Sequence, residues 1–173
     1  MNNNQTVEKL RQMRIGAMAE LHLQHVKNNT TESCTPDEYL AMLTDHEWES
    51  RQNQKTQRLI KQAAFRQKAS VEEVDFSPAR NLDKNMFSRL ATLDFIGRKE
   101  NLIVTGASGV GKSYLAQALG YQACFNGLKV YYSNTGRLFT RLKLSKTDGT
   151  YLKELKKLQK TNLLILEIGR ASC

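Results

Sequence analysis

The sequence has only two prolines, three cysteines and one tryptophan, and no long apolar run. So little proline, beside ten glycines, excludes a linker-rich or fibrous chain. Cys34, Cys124 and Cys173 are odd in number and widely spaced, with no CxxC pair among them. They form neither a disulfide framework nor a metal pair, which fits a reducing compartment. The start, MNNNQTVEKL, has no apolar core of the kind a signal peptide carries. No run approaches the ~20 residues needed to cross a bilayer. A cytoplasmic protein without a membrane partner is the expectation.

What is present suits a soluble globular chain: 40% hydrophobic and 25% charged residues over 173 positions. Lys and Arg number 26 against 17 Asp and Glu, a formal net charge of +9. Such an excess favours an anionic partner, a polynucleotide being the commonest, although a basic surface can also serve solubility alone.

The first hundred residues read as helices. Val7, Leu10, Met13, Ala17 and Leu21 recur at helical spacing, Ile15 and Met18 widen the stripe, and Asn28-Asn29-Thr30-Thr31 interrupts it. TPDEYLAML then carries a start signal: Thr35 as cap, Pro36 at the first helical position and Glu38 three residues after the cap. The spacing predicts a helix from there to about residue 69. Within it RQNQKTQRLIKQAAFRQK, residues 51–68, holds six basic residues and no acid. On a continuous helix Arg51, Lys55, Arg58 and Arg66 share one stripe, opposite Ile60 and Ala64. That stripe can follow a phosphate backbone without reading sequence, or it can be a solvated face.

SVEEVDFSPARNLD, residues 70–83, reads as a junction with two short helix starts, Ser70 with Glu73 and Ser77 with Pro78. A helix through NMFSRLATLDFI follows. From residue 101 the period changes: NLIVTG is a short buried strand, SYLAQALGYQACF a helix and KVYYSN a strand. TGRLFTRLKLS and YLKELKKLQ are helices, and LLILE is a strand. Alternation of this kind predicts a parallel α/β sheet. The expected divisions are a helical region over 1–69, a helical junction over 70–100 and a nucleotide-binding core over 101–167.

One motif carries chemistry. Gly106, Ala107, Ser108, Gly109, Val110, Gly111, Lys112 and Ser113 match the GxxxxGK[ST] phosphate-binding loop, between an apolar strand and an amphipathic helix. Gly106, Gly109 and Gly111 allow backbone conformations that turn successive N–H groups onto phosphate oxygens. The helix start adds its positive end. Lys112 can reach the β- and γ-phosphates of ATP, and the Ser113 hydroxyl can ligate Mg²⁺. Glu167, 55 residues after Lys112 and at the end of LLILE, is the matching strand-end acid. In P-loop ATPases that acid holds Mg²⁺ through water and helps order the attacking water. The usual residue there is Asp, often followed by a second acid, whereas Ile168 follows here.

With these residues in place the chain resembles the IstB-like ATPases, the transposition helpers of IS21-type insertion sequences. They are relatives of DnaC helicase loaders, within the AAA+ class. The resemblance covers VEKLRQMRIGAMAE, EYLAMLTDHEWESRQNQKTQRLI, DFSPARNLDKNMFSRLATLDFI, NLIVTGASGVGKSYLAQALGYQAC, RLFTRLKLSKTDGTYLKELKKL and NLLILE. It implies an AAA+ type P-loop NTPase sheet behind an all-helical N-terminal region, with ATP and Mg²⁺ as cofactors. It further implies assembly as a homo-oligomer on DNA and activation of a transposase. Hydrolysis in the family needs an arginine from a neighbouring subunit, and the segment around Phe76 is expected to border the adenine.

Family members continue past the strand-end acid, and their fourth strand lies between the phosphate-loop strand and the strand of that acid. The sheet is therefore expected to be incomplete and the chain poorly stable alone. Residues 168–173, IGRASC, are read as a non-native tail, because codons ATC GGA AGA GCG TCG TGT of a common sequencing adapter encode them. On that reading the native residue at 167 is Asp.

Three other functions share some of these features: a helicase loader, a small-molecule kinase, and a nucleotide-binding fragment without turnover. The basic helical extension favours transposition over the first two. His22, His25 and His46 read as surface or packing residues, Trp48 as packing and Cys124 as a small buried residue. The cluster Lys153, Lys156, Lys157 and Lys160 reads equally as a solvated face or a DNA contact.

Overall fold

The computed structural model describes residues 3–29 and 34–168; Gly169–Cys173, most of the expected non-native tail, lie outside them, as do Thr30 and Thr31 of the expected break. Two compact units are present, Met1–Lys55 and Thr56–Cys173.

The first unit holds α1 (Asn3–Gln12), α2 (Gly16–Lys27) and most of α3 (Pro36–Ala63). The stripe from Val7 to Leu21 predicts one continuous helix, but Arg14 adopts a left-handed conformation (φ 60°) and the chain turns back. Folding α2 onto α1 buries Val7 and Ala19, which a straight helix would leave in water. The expected cap of α3 is present in full. The Thr35 N–H donates to the Glu38 carboxylate at 2.9 Å, and the Glu38 N–H donates to the Thr35 hydroxyl at 3.3 Å. Glu47 on α3 then accepts the Met18 N–H at 3.1 Å, satisfying a free donor in the first turn of α2. Arg51 pairs with Glu47 at 2.7 Å and donates to the Arg14 carbonyl at 2.9 Å, fastening the α1–α2 corner.

In the second unit α3 ends at Ala63, not near residue 69, because Ala64 turns left-handed (φ 59°). Arg66 is thereby off the helix, so the four-residue basic stripe does not exist as read. A 3-10 turn spans Pro78–Arg80, beginning where Ser77-Pro78 signals a start. The other signal fails: residues 70–73 form a turn, because Tyr114 takes the Ser70 N–H (3.3 Å) and donates to Glu73 (3.1 Å). The helix expected through NMFSRLATLDFI is two, α4 (Lys84–Ala91) and α5 (Asp94–Gly97), broken at left-handed Leu93 (φ 66°). This break puts Leu93 and Phe95 into one core.

α6 (Lys112–Phe125), β1 (Val130–Asn134), α7 (Thr135–Thr147), α8 (Tyr151–Gln159) and β2 (Leu163–Glu167) follow the alternation read from the sequence. β1 and β2 pair in parallel, Val130 opposite Leu163 and Asn134 opposite Glu167. α6 lies against both strands, and Leu59, Ala63, Ala123, Cys124 and Val130 are buried together. Contact is close at Gly120, where a Cβ would meet Phe65 at 2.6 Å and Ile165 at 2.8 Å. A second core joins Val74, Phe87, Ala118 and Leu119, which ties the junction segment to α6. The architecture is a partial α/β P-loop sheet preceded by a helical N-terminal region.

One expected element is absent. Residues 101–106 form no strand among the described residues, and Ile103 is 81% exposed rather than buried. A strand needs a hydrogen-bonded neighbour, and this segment pairs with neither β1 nor β2.

Candidate nucleotide site

The loop of residues 106–111 leads directly into α6. Gly106, Gly109 and Gly111 all have positive φ (145°, 84° and 92°), conformations costly to residues with a side chain. Gly111 is the residue on which α6 opens, so Lys112 and Ser113 occupy its first turn, where unpaired N–H groups and the helix dipole favour an anion. Ala107, Ser108 and Val110 complete the loop and are exposed. The Lys112 ammonium donates to the Ala107 carbonyl at 2.6 Å, folding the side chain back over the loop.

Behind this turn lies Gln117, fully buried on α6. Its carbonyl oxygen accepts the Arg66 and Gln67 N–H groups at 2.8 and 3.1 Å, and its amide donates to the Ser113 carbonyl at 3.0 Å. One side chain thus satisfies the backbone beyond α3 and links it to the first turn of α6.

Strand periodicity delivers the acid. Leu163, Ile165 and Glu167 share one face of β2, and Leu163 and Ile165 pack into the core beside α6. Glu167 therefore points at the start of α6, where the Ser113 hydroxyl donates to one carboxylate oxygen. The Tyr132 hydroxyl donates to the other. Tyr132 shares a face of β1 with Val130, so the same alternation aims it at the acid. The hydroxyls of Ser113 and Tyr132 hold the Glu167 carboxyl below its usual range; burial opposes this, and the charges of Arg66 and Lys112 reinforce it. Burial and the adjacent carboxylate push the Tyr132 phenol up to about 12. The Glu167 carbonyl also accepts the Thr135 hydroxyl at 3.1 Å, fixing the strand end.

A hydroxyl and a carboxylate side by side are hard oxygen donors, the set Mg²⁺ prefers, with phosphate and water completing its shell. No cluster of three or more His, Cys, Asp or Glu among the described residues could hold a metal without such help. Ser113 and Glu167 fit an ion that arrives with a nucleotide.

Sequence reading missed Tyr132, Gln117 and Arg80. The period-2 pattern of KVYYSN puts Tyr132 on one face with Val130, but its meeting with Glu167 depends on the β1–β2 register. Arg80 Nη1 lies 3.4 Å from the position of a Cβ on Gly111, and its guanidinium pairs with Asp75 at 2.9 Å.

The remaining candidates fall elsewhere. Phe76 packs on Phe87 (ring centroids 5.8 Å apart) beside the second core. Arg51 is engaged with Glu47, Lys55 and Arg58 are exposed on α3, and Arg66 stands in the field of Glu167. Trp48 is 65% exposed and so is not the packing residue expected, because its position on α3 faces away from Leu43 and Glu47. His22 bonds the Tyr39 hydroxyl at 2.8 Å. Cys124 is buried, which pushes its thiol up to about 11. Lys157 of the second basic cluster lies 5.3 Å from the Tyr131 ring. A cavity of about 940 Å³ beside α7, lined by Thr135, Arg141, Glu154 and Ile168, includes no residue of the phosphate loop. No helix among the described residues is long and apolar enough to cross a membrane.

Comparison with known proteins extends the pattern beyond the loop. The family described as IstB-like ATP binding protein matches residues 8–171. An insertion-sequence ATP-binding protein of Sinorhizobium fredii is 36% identical over 94% of this chain and 66% of its own length. The ATP-binding protein of insertion sequence IS1162 from Pseudomonas fluorescens is 36% identical over 96% of this chain and 73% of its own length. That of IS21 from Pseudomonas aeruginosa is 35% identical over 76% of this chain and 50% of its own length. The chain thus spans half to about three quarters of the length of these relatives.

Proposed function

The chain belongs to the IstB-like ATP-binding protein family, and from that premise we propose that it binds Mg²⁺–ATP at Gly106–Ser113 and acts as a DNA-associated helper of transposition. The observation that carries the reading is the junction of loop and acid: three positive-φ glycines open α6, and its Ser113 hydroxyl meets Glu167. The loop N–H groups and the start of α6 receive the phosphates, and Lys112 exchanges the Ala107 carbonyl for a phosphate oxygen. Ser113 and Glu167 hold the ion, which when bound neutralises phosphate charge. The depressed carboxyl keeps Glu167 ionised at neutral pH, ready for that role. Tyr132 orients it.

Ile168 stands where a second carboxylate would order the attacking water. With Ile168 in that place, nucleotide binding with little turnover is proposed; on the reading that residues 168–173 are non-native, the native chain couples ATP binding and hydrolysis to assembly on DNA. The names of the relatives, all insertion-sequence proteins, favour transposition over helicase loading. Exposed Lys55 and Arg58 on α3, with the net charge of +9, support contact with duplex DNA, and a transposase is the expected partner. Assembly into a homo-oligomer on the DNA belongs to the same proposal.

Gel retardation of a duplex of arbitrary sequence tests the DNA step. Retardation is expected to increase with Mg²⁺–ATP and to weaken steeply with salt, and Lys55→Ala with Arg58→Ala should flatten the salt dependence. Retardation that neither nucleotide nor these substitutions alter would contradict the proposal.

A further inference from the structure

We propose that Arg80 is a phosphate-contacting residue of the nucleotide site, delivered from the segment before α4 and parked on Asp75 until the nucleotide arrives. The inference rests on the nucleotide reading above and adds to it a cation outside the loop motif.

Placement is the first argument. Arg80 closes the 3-10 turn Pro78–Arg80, and its Nη1 stands 3.4 Å from where Gly111 would carry a Cβ. That glycine is the residue on which α6 opens, so the guanidinium lies against the backbone that must wrap the phosphates. The segment bearing Arg80 is well held. Val74 and Phe76 pack in the second core with Phe87 and Leu119, and the Ser77 N–H donates to Asp75 at 2.8 Å. Asn81, left-handed at φ 48°, ends the turn, and Asp83 caps α4 by accepting the Asn85 N–H at 2.8 Å. Arg80 is therefore a fixed neighbour of the loop.

Electrostatics is the second. A guanidinium beside the start of a helix meets charge of its own sign, because the dipole is positive there. Lys112 adds another positive group one residue away. Asp75 offsets Arg80 at 2.9 Å, but both side chains are about half exposed (49% for Arg80, 53% for Asp75), and an ion pair so exposed holds weakly. A phosphate between Gly111 and Arg80 removes the conflict, and a guanidinium suits its oxygens. In a phosphate loop the backbone cradles the α- and β-phosphates, whereas Lys112 and Ser113 serve the β–γ end. Arg80, against the Gly111 backbone, is thus assigned to the phosphates that ATP and ADP share.

The test is a titration of the 173-residue chain with methylanthraniloyl-labelled ATP and ADP, using Arg80→Ala, Arg80→Lys, Asp75→Asn and Lys112→Ala. Arg80→Ala should weaken both nucleotides alike, about five- to tenfold by the usual strength of a charge-assisted hydrogen bond, and Arg80→Lys should recover part of the loss. Asp75→Asn keeps the acceptor for the Ser77 N–H but frees Arg80, so its affinity should hold or rise. If Arg80 merely braces the segment, Asp75→Asn and Arg80→Ala will weaken binding together and lower the melting temperature together, which overturns the inference. Unchanged affinity in Arg80→Ala while Lys112→Ala loses binding overturns it too, as does a loss confined to ATP. Failure of the unaltered chain to bind either nucleotide would instead remove the nucleotide reading, and this inference with it.

Discussion

At the scale of single residues, Glu167 is best understood through what donates to it. A lone carboxylate at a strand end would be free to turn into solvent. The Ser113 and Tyr132 hydroxyls take both of its oxygens and hold it ionised. Its folded-state pKa lies below the ordinary 4.5, so the stability it contributes is present above that value and is lost as pH falls through the depressed one. Tyr132 carries the opposite sign. Its phenol is raised from 10 to about 12, so its contribution is present below pH 10 and is lost as pH rises toward 12. Tyr132→Phe should therefore soften the acid loss below pH 4.5 and reduce the alkaline one, to which the raised Cys124 thiol also contributes, as read from thermal unfolding midpoints across pH. Superimposable profiles for the two proteins would refute this coupling. The acid itself was legible in the sequence from LLILE. Its phenolic partner was not, because Tyr132 reaches it across the β1–β2 ladder, and a ladder register is set by folding.

At the scale of elements, the legible parts are those whose signal is local. Thr35, Pro36 and Glu38 announce α3 and form its cap as read. Gly106 to Ser113 announce the loop, and the apolar period from Ser113 to Phe125 announces α6. The ends of helices were poorly legible, since Arg14, Ala64 and Leu93 turn left-handed with no glycine to mark them. Each break exists because tertiary burial outweighs the local cost, about 1–2 kcal/mol for a residue with a Cβ. Ala64 is the clean case, being exposed and just beyond the last residue of α3. Ala64→Gly should stabilise the chain by about 0.5–1 kcal/mol, since glycine accepts the left-handed cap without that cost. Denaturant unfolding checks this, and a lowered midpoint would show that Ala64 is not strained. The buried strand expected at residues 101–106 depended on a neighbour, and strand pairing is a property of the assembled sheet that a single segment cannot announce.

At the scale of the molecule, two features set behaviour. The first is charge: +9 over 173 residues favours contact with polyanions, a contact that net charge makes without reading sequence. The second is uncovered apolar surface. Leu164 and Leu166 on the outer face of β2 are 42% and 45% exposed, and Ile103 is 81% exposed. Apolar residues left so open favour association, and unpaired strand backbone favours it further. Sedimentation of the isolated chain should show concentration-dependent self-association that 1-anilinonaphthalene-8-sulfonate reports as exposed apolar surface. A monomer with a sharp, cooperative melt and no dye binding would contradict this. The same chain decides the central claim through one experiment, calorimetric titration with ATP in the presence and absence of Mg²⁺. Saturable binding that Mg²⁺ tightens, that Lys112→Ala weakens about tenfold or more, and that loses its Mg²⁺ increment in Ser113→Ala is the result predicted. No binding, or binding indifferent to both substitutions, would show that the loop and Glu167 do not form a nucleotide site.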